Sequence, residues 1–460
     1  MSEREFDIIV VGGGPAGEVA AGRLGDAGLD VALVEQENVG GECSFWACMP
    51  SKALLRPAQA LAEARRVPGA AEAATGELDV AAVLARRDEI INDLDDSTQV
   101  PWLEEHNVTL VRGRGALVPP ARRVAVGEDQ LVARRAVVLA VGSVAAMPPI
   151  PGLAAARPWT NREITTAKEA PERLAIIGGG VVGVEMAQAW STLGSKVAVV
   201  GSAGRLIPRE EEFASEQVEA ALREAGVDLR LRTRTTAVHR AEDGEVTLEL
   251  DRGEPLTVDE VVVAVGRQPA TTELGLDCVG LEPGMTVEVD DHMRAVSHSW
   301  LYAVGDVNGR ALLTHMGKYQ GRIAADHILG REGSAAQGGA RGTLSPRVIF
   351  TEPQVAAVGY TLASAEAAGL NVRAVDVPSS GSAGGSFHGR GVPGTARIVV
   401  DEDRRVLVGA TFTGADVSEW VHAATIAVVG EVPLERLWHA VPSFPTRSEV
   451  WLKLLEAYGL

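Results

Sequence analysis

Two units of strand, glycine turn, helix and strand, one opening at Phe6 and the other at Leu174, and a change to alternating strands from about residue 341 predict an α/β chain. It consists of two doubly wound folds and a C-terminal α+β segment. In the first unit the continuous apolar run Phe6-Asp7-Ile8-Ile9-Val10-Val11 has the composition of a buried parallel strand. Gly12-Gly13-Gly14-Pro15-Ala16-Gly17 follows and opens an Ala-rich helix. In such a turn Gly12 bends the chain, Gly14 lets backbone N–H groups approach a pyrophosphate, and Gly17 lets helix and strand pack closely. A second strand, Val31-Ala32-Leu33-Val34, ends at Glu35, whose carboxylate can accept both hydroxyls of a ribose. Together these elements specify a Rossmann-like dinucleotide fold.

The same unit recurs. Leu174-Ala175-Ile176-Ile177 leads into Gly178-Gly179-Gly180-Val181-Val182-Gly183, a helix is expected from about Val184 to Leu193, and Lys196-Val197-Ala198-Val199-Val200 is the second strand. Two such folds imply two dinucleotides. The position that holds Glu35 in the first unit holds Gly201 here, followed by Ser202, so no acid stands where it would repel a 2′-phosphate on the adenosine ribose. The second site therefore leans to NADPH over NADH. Ser202, Arg205 and Arg209 are its candidate phosphate contacts, and the plainer reading of the two arginines is a solvated polar loop.

Ala136-Val137-Val138-Leu139-Ala140 ends in Val141-Gly142-Ser143, and Val261-Val262-Val263-Ala264-Val265 ends in Gly266-Arg267-Gln268-Pro269, as strands do that break off at a crossover. Leu301-Tyr302-Ala303-Val304 ends in Gly305-Asp306. That acid can bond a ribityl hydroxyl of a flavin or, taken alone, cap a turn. Ala396–Val400 and Val406–Phe412 supply alternating strands to the last segment, which has no nucleotide fingerprint.

After the first dinucleotide unit, the stretch Gly40-Gly41-Glu42-Cys43-Ser44-Phe45-Trp46-Ala47-Cys48-Met49-Pro50-Ser51-Lys52 carries two of the three cysteines, five positions apart. Thiols this close can meet at the Cα separation of a disulfide, and so short a loop gains little entropy from crosslinking. The role left for the bond is to open and close. Phe45 and Trp46 between them can stack on a planar acceptor such as a quinone or, more simply, pack against neighbouring helices.

With 460 residues, 46% hydrophobic and 23% charged, the chain is long enough for several cores and is neither disordered nor fibrous. Three cysteines make no secreted disulfide framework, and Met1-Ser2-Glu3-Arg4-Glu5-Phe6-Asp7 lacks the apolar region of a signal peptide, so a cytoplasmic enzyme is expected. Apolar runs such as Ala136–Val141 and Ala423–Val429 fall short of the roughly 20 residues that span a bilayer, and no membrane span is expected. The formal charge of −19 argues against nucleic acid and anionic membrane as partners.

The order of GxGxxG, Cys-x4-Cys before Pro50-Ser51-Lys52, second GxGxxG, Gly266-Arg267-x-Pro269, Ala303-x-Gly305-Asp306 and a C-terminal α+β segment resembles the pyridine nucleotide–disulfide oxidoreductases, the family of lipoamide dehydrogenase, glutathione reductase and mercuric reductase. The resemblance covers essentially the whole chain. It implies an FAD-binding domain at 1–148 that resumes at 269–340, an NAD(P)H-binding domain at 149–268, and a dimerisation domain at 341–460 that makes a symmetric homodimer. It implies FAD held by Gly12, Gly14, Gly17 and Glu35, with Gly142, Asp306 and the backbone near Gly115 completing the site. NAD(P)H would be held at Gly178, Gly180 and Gly183, with Gly266 beside it, across the flavin from the disulfide. Cys48 would be the thiolate next to the flavin, and Cys43 the interchange thiol that attacks the outside acceptor. Lys52 would lie near the flavin N5, paired with Glu185, where a fixed positive charge stabilises a reduced flavin and a neighbouring thiolate. Read alone, Lys52 is a surface helix lysine.

The C-terminus departs from the family pattern. Relatives that reduce a dithiol substrate carry His-Pro-Thr-x-Ser-Glu, in which the partner subunit's histidine is the acid–base for the interchange thiol. Here the segment reads Pro442-Ser443-Phe444-Pro445-Thr446-Arg447-Ser448-Glu449. Phenylalanine cannot move a proton, and such assistance contributes about 10²- to 10⁴-fold, so efficient lipoamide or glutathione turnover is not expected. Glu449 is left as a catalytic candidate without its usual partner, and Thr446-x-x-Glu449 reads better as a capping box opening the last helix. His439 is a candidate substitute base; its plainer role is packing beside Trp438. Mercuric reductases also lack the histidine, but they add a C-terminal cysteine pair where this chain ends Glu456-Ala457-Tyr458-Gly459-Leu460. Cys278 is expected to be a small buried apolar residue. No resident metal is expected, although Cys43 and Cys48 suit a soft ion.

The activity expected is therefore transfer of electrons from NAD(P)H through FAD and the Cys43–Cys48 pair to a small-molecule acceptor: an unusual disulfide, a quinone or a metal ion. The alternatives are a dithiol–disulfide enzyme with another base, a mercuric or other metal-ion reductase, and a flavin redox switch without turnover.

Overall fold

The computed structural model describes residues 3–331, 342–389 and 392–460. The boundary expected between 340 and 341 lies outside the described residues. Internal contacts divide the chain into two compact units, one of Met1–Pro50, Asp88–Ala146 and Gly266–Gly342, the other of Ser51–Arg87, Met147–Val265 and Thr343–Leu460.

The first unit is built on a sheet of β1 (Glu3–Val11), β2 (Val31–Glu35), β3 (Val108–Arg112), β4 (Gly115–Val118), β5 (Arg123–Val126) and β6 (Asp129–Leu139), in the order β3-β2-β1-β6-β5-β4. β3, β2, β1 and β6 run parallel, whereas β4 and β5 form an antiparallel extension. Leu301–Ala303, here β16, adds a parallel strand on β6. The parallel strands are apolar on both faces because both faces are covered; Ile8, Val10, Leu33, Val137 and Leu139 are fully buried. Register aligns Val11 with Val34 and with Leu139, and Leu139 with Ala303. The turns after Val11, Val34, Leu139 and Ala303 consequently leave one carboxyl edge together, where ligands of open α/β sheets bind. The helices of this unit are α1 (Pro15–Asp26), α2 (Gly41–Phe45), α5 (Val100–Glu105) and α9 (Thr314–Ile328). The breaks expected after Ala140 and Val265 become β7 (Ser143–Ala145) and β15 (Arg267–Pro269), which pair antiparallel with each other.

In the second unit α3 (Cys48–Arg66) and α4 (Val80–Ile90) contribute Leu54, Leu55, Val83 and Leu84 to the core beneath a parallel sheet. That sheet is ordered β10 (Asp228–Leu231), β9 (Lys196–Gly201), β8 (Arg173–Ile177), β14 (Glu260–Val263). Helices α6 (Asn161–Thr166), α7 (Val181–Thr192) and α8 (Glu212–Glu224) accompany it, and β11 (Thr235–Arg240), β12 (Val246–Leu250) and β13 (Leu256–Val258) form an antiparallel side sheet. Trp190 on α7 is fully buried and its indole N–H donates to the Ile164 carbonyl at 3.2 Å. Helix α7 begins at Val181, three residues before the expected start, because Gly180 is already its N-cap. The C-terminal part is an antiparallel sheet ordered β17 (Arg347–Ile349), β18 (Gln354–Gly359), β21 (Val406–Gly414), β20 (Thr395–Asp401), β19 (Val372–Pro378). α11 (Val417–Val429) and α13 (Val450–Tyr458) share its main core, with α10 (Leu362–Ala367) and α12 (Leu434–Leu437) as short connections. Among the described residues no helix is long and apolar enough to cross a membrane.

Candidate redox and nucleotide sites

At the carboxyl edge of the first sheet, Gly12 sits at φ +106°, and a Cβ there would lie 2.4 Å from the Ala140 carbonyl oxygen. A Cβ on Gly17 would lie 1.9 Å from the Gly12 oxygen, whereas one on Gly14 would meet nothing within 4 Å. Turn and helix are thus locked together while the N-terminus of α1 stays open, the shape a pyrophosphate needs. Glu35 ends β2 and is buried; one carboxylate oxygen accepts from the Gly13 N–H and the other from the Glu37 N–H, each at 2.7 Å. Burial raises its carboxyl above the usual range and these N–H donors oppose the rise. Gly115 opens β4 and is buried, its α-carbon facing Val11, Val34 and Val124. Gly142 and Asp306 follow β6 and β16 on the same edge. The Ser143 hydroxyl donates to Asp306 at 2.5 Å and accepts from the Arg267 guanidinium at 2.7 Å, and Arg267 also pairs with Glu42 at 3.2 Å. Burial pushes the Asp306 carboxyl up, and Ser143 and Arg267 pull it back. These residues fit FAD: an open glycine turn at a helix N-terminus, an acid at the second strand end, and a buried acid farther along the edge.

Both thiols of the redox stretch are present as free cysteines, Cys43 within α2 and Cys48 as the first residue of α3. The Thr314 hydroxyl at the start of α9 donates to Cys43 Sγ at 3.1 Å and lies 3.4 Å from Cys48 Sγ. The Cys43 thiol is pushed well up, first by its hydrogen bond with Cys48 and then by burial, while Thr314 and Lys318 pull it down. Phe45 is buried and Trp46 half-buried, their rings 5.7 Å apart and tilted, so Phe45 is part of the packing beneath the loop.

In the second unit Lys52 Nζ lies 2.8 Å from Glu185 Oε2 and 4.8 Å from the Phe350 ring centroid. Glu185 is buried, and its other oxygen accepts from the Phe350 N–H at 2.8 Å. The second glycine turn repeats the first. Gly178 has φ +121°, a Cβ on Gly183 would lie 2.0 Å from the Gly178 oxygen, and one on Gly180 would meet nothing within 4 Å. Val181 and Val182 leave the N-terminus of α7 exposed. These residues fit a second dinucleotide. Beyond β9, Ser202 and Arg209 are exposed, and Arg205 donates to the Pro208 carbonyl at 2.8 Å. Arg232, which no motif marks, reaches the same loop: a Cβ on Gly204 would lie 3.1 Å from its Nε. Gly266 lies in the first unit, at φ +140°.

In the C-terminal segment Phe444 is 77% exposed and His439 is exposed. The capping box forms, with Glu449 accepting from the Thr446 N–H at 3.3 Å and also from the Gly384 N–H at 3.0 Å. Cys278 is not buried as expected but exposed, in a short 3-10 turn flanked by Gly275 and Gly280, where Leu276 takes the inward position. Glu63, His388 and Asp416 bring one potential ligand atom each within 4.8 Å of one another, with Arg447 at 3.5 Å from Asp416 offsetting the carboxylates.

Residues 6–321 match the pyridine nucleotide-disulphide oxidoreductase family and residues 345–455 its dimerisation domain. The chain belongs to that family. It is 30% identical over 453 residues to a dihydrolipoyl dehydrogenase of Chlamydia muridarum, covering 97% of this chain and 95% of that protein. It is 32% identical over 450 residues to a mercuric reductase of Shigella flexneri, covering 95% and 78%. Among solved structures, the Cu(II) complex of the HOCl-induced flavoprotein disulfide reductase RclA from Escherichia coli matches with a TM-score of 0.85 at 25% identity, covering 98% of this chain and 99% of that one. The chain is accordingly a flavoprotein oxidoreductase of the disulfide reductase type, and members of the family use FAD and NAD(P)H.

Proposed function

We propose that this chain moves electrons from NAD(P)H, with a lean to NADPH, by way of the Cys43–Cys48 pair to an acceptor that needs little proton management: a quinone, a metal ion or an unusual disulfide. Bound FAD supplies two-electron chemistry between a hydride donor and a dithiol. The observation that carries the reading is Phe444, 77% exposed where dithiol-reducing relatives hold their proton-transfer histidine.

In this reading Gly12, Gly14, Gly17, Glu35, Gly115, Gly142 and Asp306 hold FAD, and Gly178, Gly180, Gly183, Ser202, Arg205 and Gly266 hold the nicotinamide nucleotide. Cys48 keeps the thiolate, Cys43 meets the acceptor, and Glu185 keeps the Lys52 charge in place. The domain limits of 148, 268 and 340, a homodimer formed through residues 341–460 and a cytoplasmic setting belong to the same proposal. The dimer is supported by the dimerisation-domain match, and a metal-ion acceptor by the mercuric reductase relative and the copper complex of RclA. The test is one assay of lipoamide, oxidised glutathione, a menadione-type quinone, Cu(II) and Hg(II), each with NADPH and with NADH. Quinone or metal-ion turnover well above that of lipoamide is expected, and lost in Cys43→Ser. Lipoamide turnover that dominates and disappears in His439→Ala, or full turnover in Cys43→Ser, overturns the reading.

A further inference from the structure

A sulfur that reacts as an anion needs a hydrogen-bond donor beside it while it is charged, and a phenylalanine at 444 has none to offer. Around the dithiol, segments of the first unit close on the N-terminal end of α1. Gly41 opens α2 at φ +56°, and a Cβ there would stand 2.9 Å from the Gly14 α-carbon, so the short helix that carries Cys43 is seated on the first glycine turn. On α9, a Cβ on Gly317 would stand 3.2 Å from the Ala16 side chain and one on Gly321 would stand 2.7 Å from the Ala16 carbonyl oxygen, so α9 lies directly on α1. Gln320 is fully buried and accepts from the Gly305 N–H and from the Asn308 side-chain amide, each at 2.8 Å, which ties α9 to the turn after β16. The start of α1 is therefore a common base for Cys43 and for Thr314, the first residue of α9.

Thr314 is half-buried. Its hydroxyl donates to Cys43 Sγ at 3.1 Å and lies 3.4 Å from Cys48 Sγ, a contact in which either atom can be the donor. A hydroxyl has one hydrogen, so it serves one sulfur fully at a time. We propose that the Thr314 hydroxyl is a catalytic residue shared by the two thiols, giving its hydrogen to whichever sulfur is anionic and passing it from one to the other as the disulfide opens and closes. It does the charge-stabilising half of a histidine's work and leaves the proton to the acceptor.

The inference rests on the reading of Cys43 as the thiol that meets the acceptor. Reduction of a quinone forms the Cys43–Cys48 S–S bond, breaks both S–H bonds and sends two electrons and two protons to the quinone oxygens. The first sulfur to lose its proton is held by an O–H···S⁻ bond until the S–S bond forms, and when the disulfide is reduced the leaving sulfur is received in the same way. The threonine O–H bond is intact before and after. A hydrogen bond to the anion favours the thiolate, and Thr314 acts on Cys43 in that direction. Valine keeps the shape of threonine with a methyl in place of the hydroxyl, whereas serine keeps the hydroxyl without the methyl. Comparing the two separates the hydrogen bond from packing.

The test reads each sulfur directly and needs no acceptor. The FAD-loaded protein is reduced with dithiothreitol, freed of it, and alkylated with iodoacetamide at about pH 7, with modification at the Cys43 and Cys48 peptides followed by mass spectrometry. In a Cys48→Ala background only Cys43 of the pair can react, and in a Cys43→Ala background only Cys48. Thr314→Val is expected to slow alkylation by about 3- to 10-fold in both backgrounds, the size of a half- to one-unit rise in a thiol pKa. Thr314→Ser is expected to keep the rate within about twofold in both, which a loss of packing would not allow. Slowing in one background alone, slowing in neither, or equal slowing by valine and serine overturns the proposal. Thr314→Ala takes the place of the valine variant should that one not fold. The reading of the acceptor chemistry falls separately, if Cys43→Ser keeps full turnover.

Discussion

The two glycine turns are the same piece of backbone used twice, and they differ in what surrounds them. In each, the first glycine is in the left-handed region, the third has a backbone oxygen about 2 Å from where its Cβ would be, and the second faces open space at a helix N-terminus. An acid follows each turn, but one register position apart: Glu18, in the first turn of α1, directly follows Gly17, whereas Glu185 follows Gly183 by two and lies beyond the first turn of α7. Glu185 pairs with Lys52 and accepts from the Phe350 N–H, whereas burial pushes the Glu18 carboxyl up. The second strands differ too, one ending in buried Glu35 and the other in Gly201 with Arg205 and Arg232 beside it. A glycine spacing makes a dinucleotide turn; the residues one step outside it choose the nucleotide and give the local charge its task.

The largest effect should come from filling the locked positions. Gly17→Val and Gly183→Val each drive a side chain into backbone, a clash that destabilises by about 1–3 kcal/mol or more. Gly17→Val is expected to purify with under a tenth of the flavin per chain by absorbance, and Gly183→Val to keep flavin that NADPH no longer reduces. Full flavin in the first variant would break the assignment of FAD to the first turn.

Next is the stability of α1 against pH. The Glu18 carboxyl rises to about 7 from an ordinary 4.5. The folded chain thus holds a proton that the unfolded chain has released, and this contribution is complete below about pH 4.5 and lost as pH climbs through 7. Glu18→Gln should gain on the wild type across that window, by on the order of 3 kcal/mol at pH 8 relative to pH 4.5, read from urea unfolding of each at both pH values. A constant difference between the two proteins would show that the carboxyl is not held up by burial.

On the second turn, Arg205→Ala and Arg232→Ala each remove a candidate charge-assisted bond to a 2′-phosphate, worth about 1.5–3 kcal/mol. The KM for NADPH should rise about 10- to 100-fold with that for NADH unchanged. Parallel shifts for both nucleotides would leave the missing acid at Gly201 as the sole basis for the NADPH lean. The smallest effect belongs to Gly14→Ala and Gly180→Ala, whose backbones are extended and whose Cβ positions are open. Apo-protein stability should change by under about 0.5 kcal/mol in either variant, while affinity for the cognate dinucleotide, measured by calorimetry, falls.

Much of this was readable in the residue order. GxGxxG between apolar strands, and the acid or its absence at the second strand end, are local signals, because turn and strand geometry depend on a few neighbouring residues. Thr446-x-x-Glu449 as a capping box was local in the same way. Thr314 was not readable: a lone threonine 271 positions from Cys43 has no motif to mark it until α9 is laid on α1. Arg232 escaped for the same reason, as an exposed cation with no periodic or spacing signal. Cys278 was misread because burial of a small residue in a 3-10 turn depends on which side of the turn its neighbours occupy, and Leu276 took that side.

By itself the sequence determined two dinucleotide folds, two cysteines five positions apart, and a phenylalanine at 444 where the family resemblance leads one to expect a histidine, all matters of residue type at fixed short spacing. Only the tertiary structure decided which distant groups meet the thiols and the acids, bringing Thr314 to Cys43, Lys52 to Glu185, and Ser143 with Arg267 to Asp306. Electrostatic and hydrogen-bonded partners are selected by distance in space, and that distance exists only once strands in register have brought their carboxyl ends to a common edge.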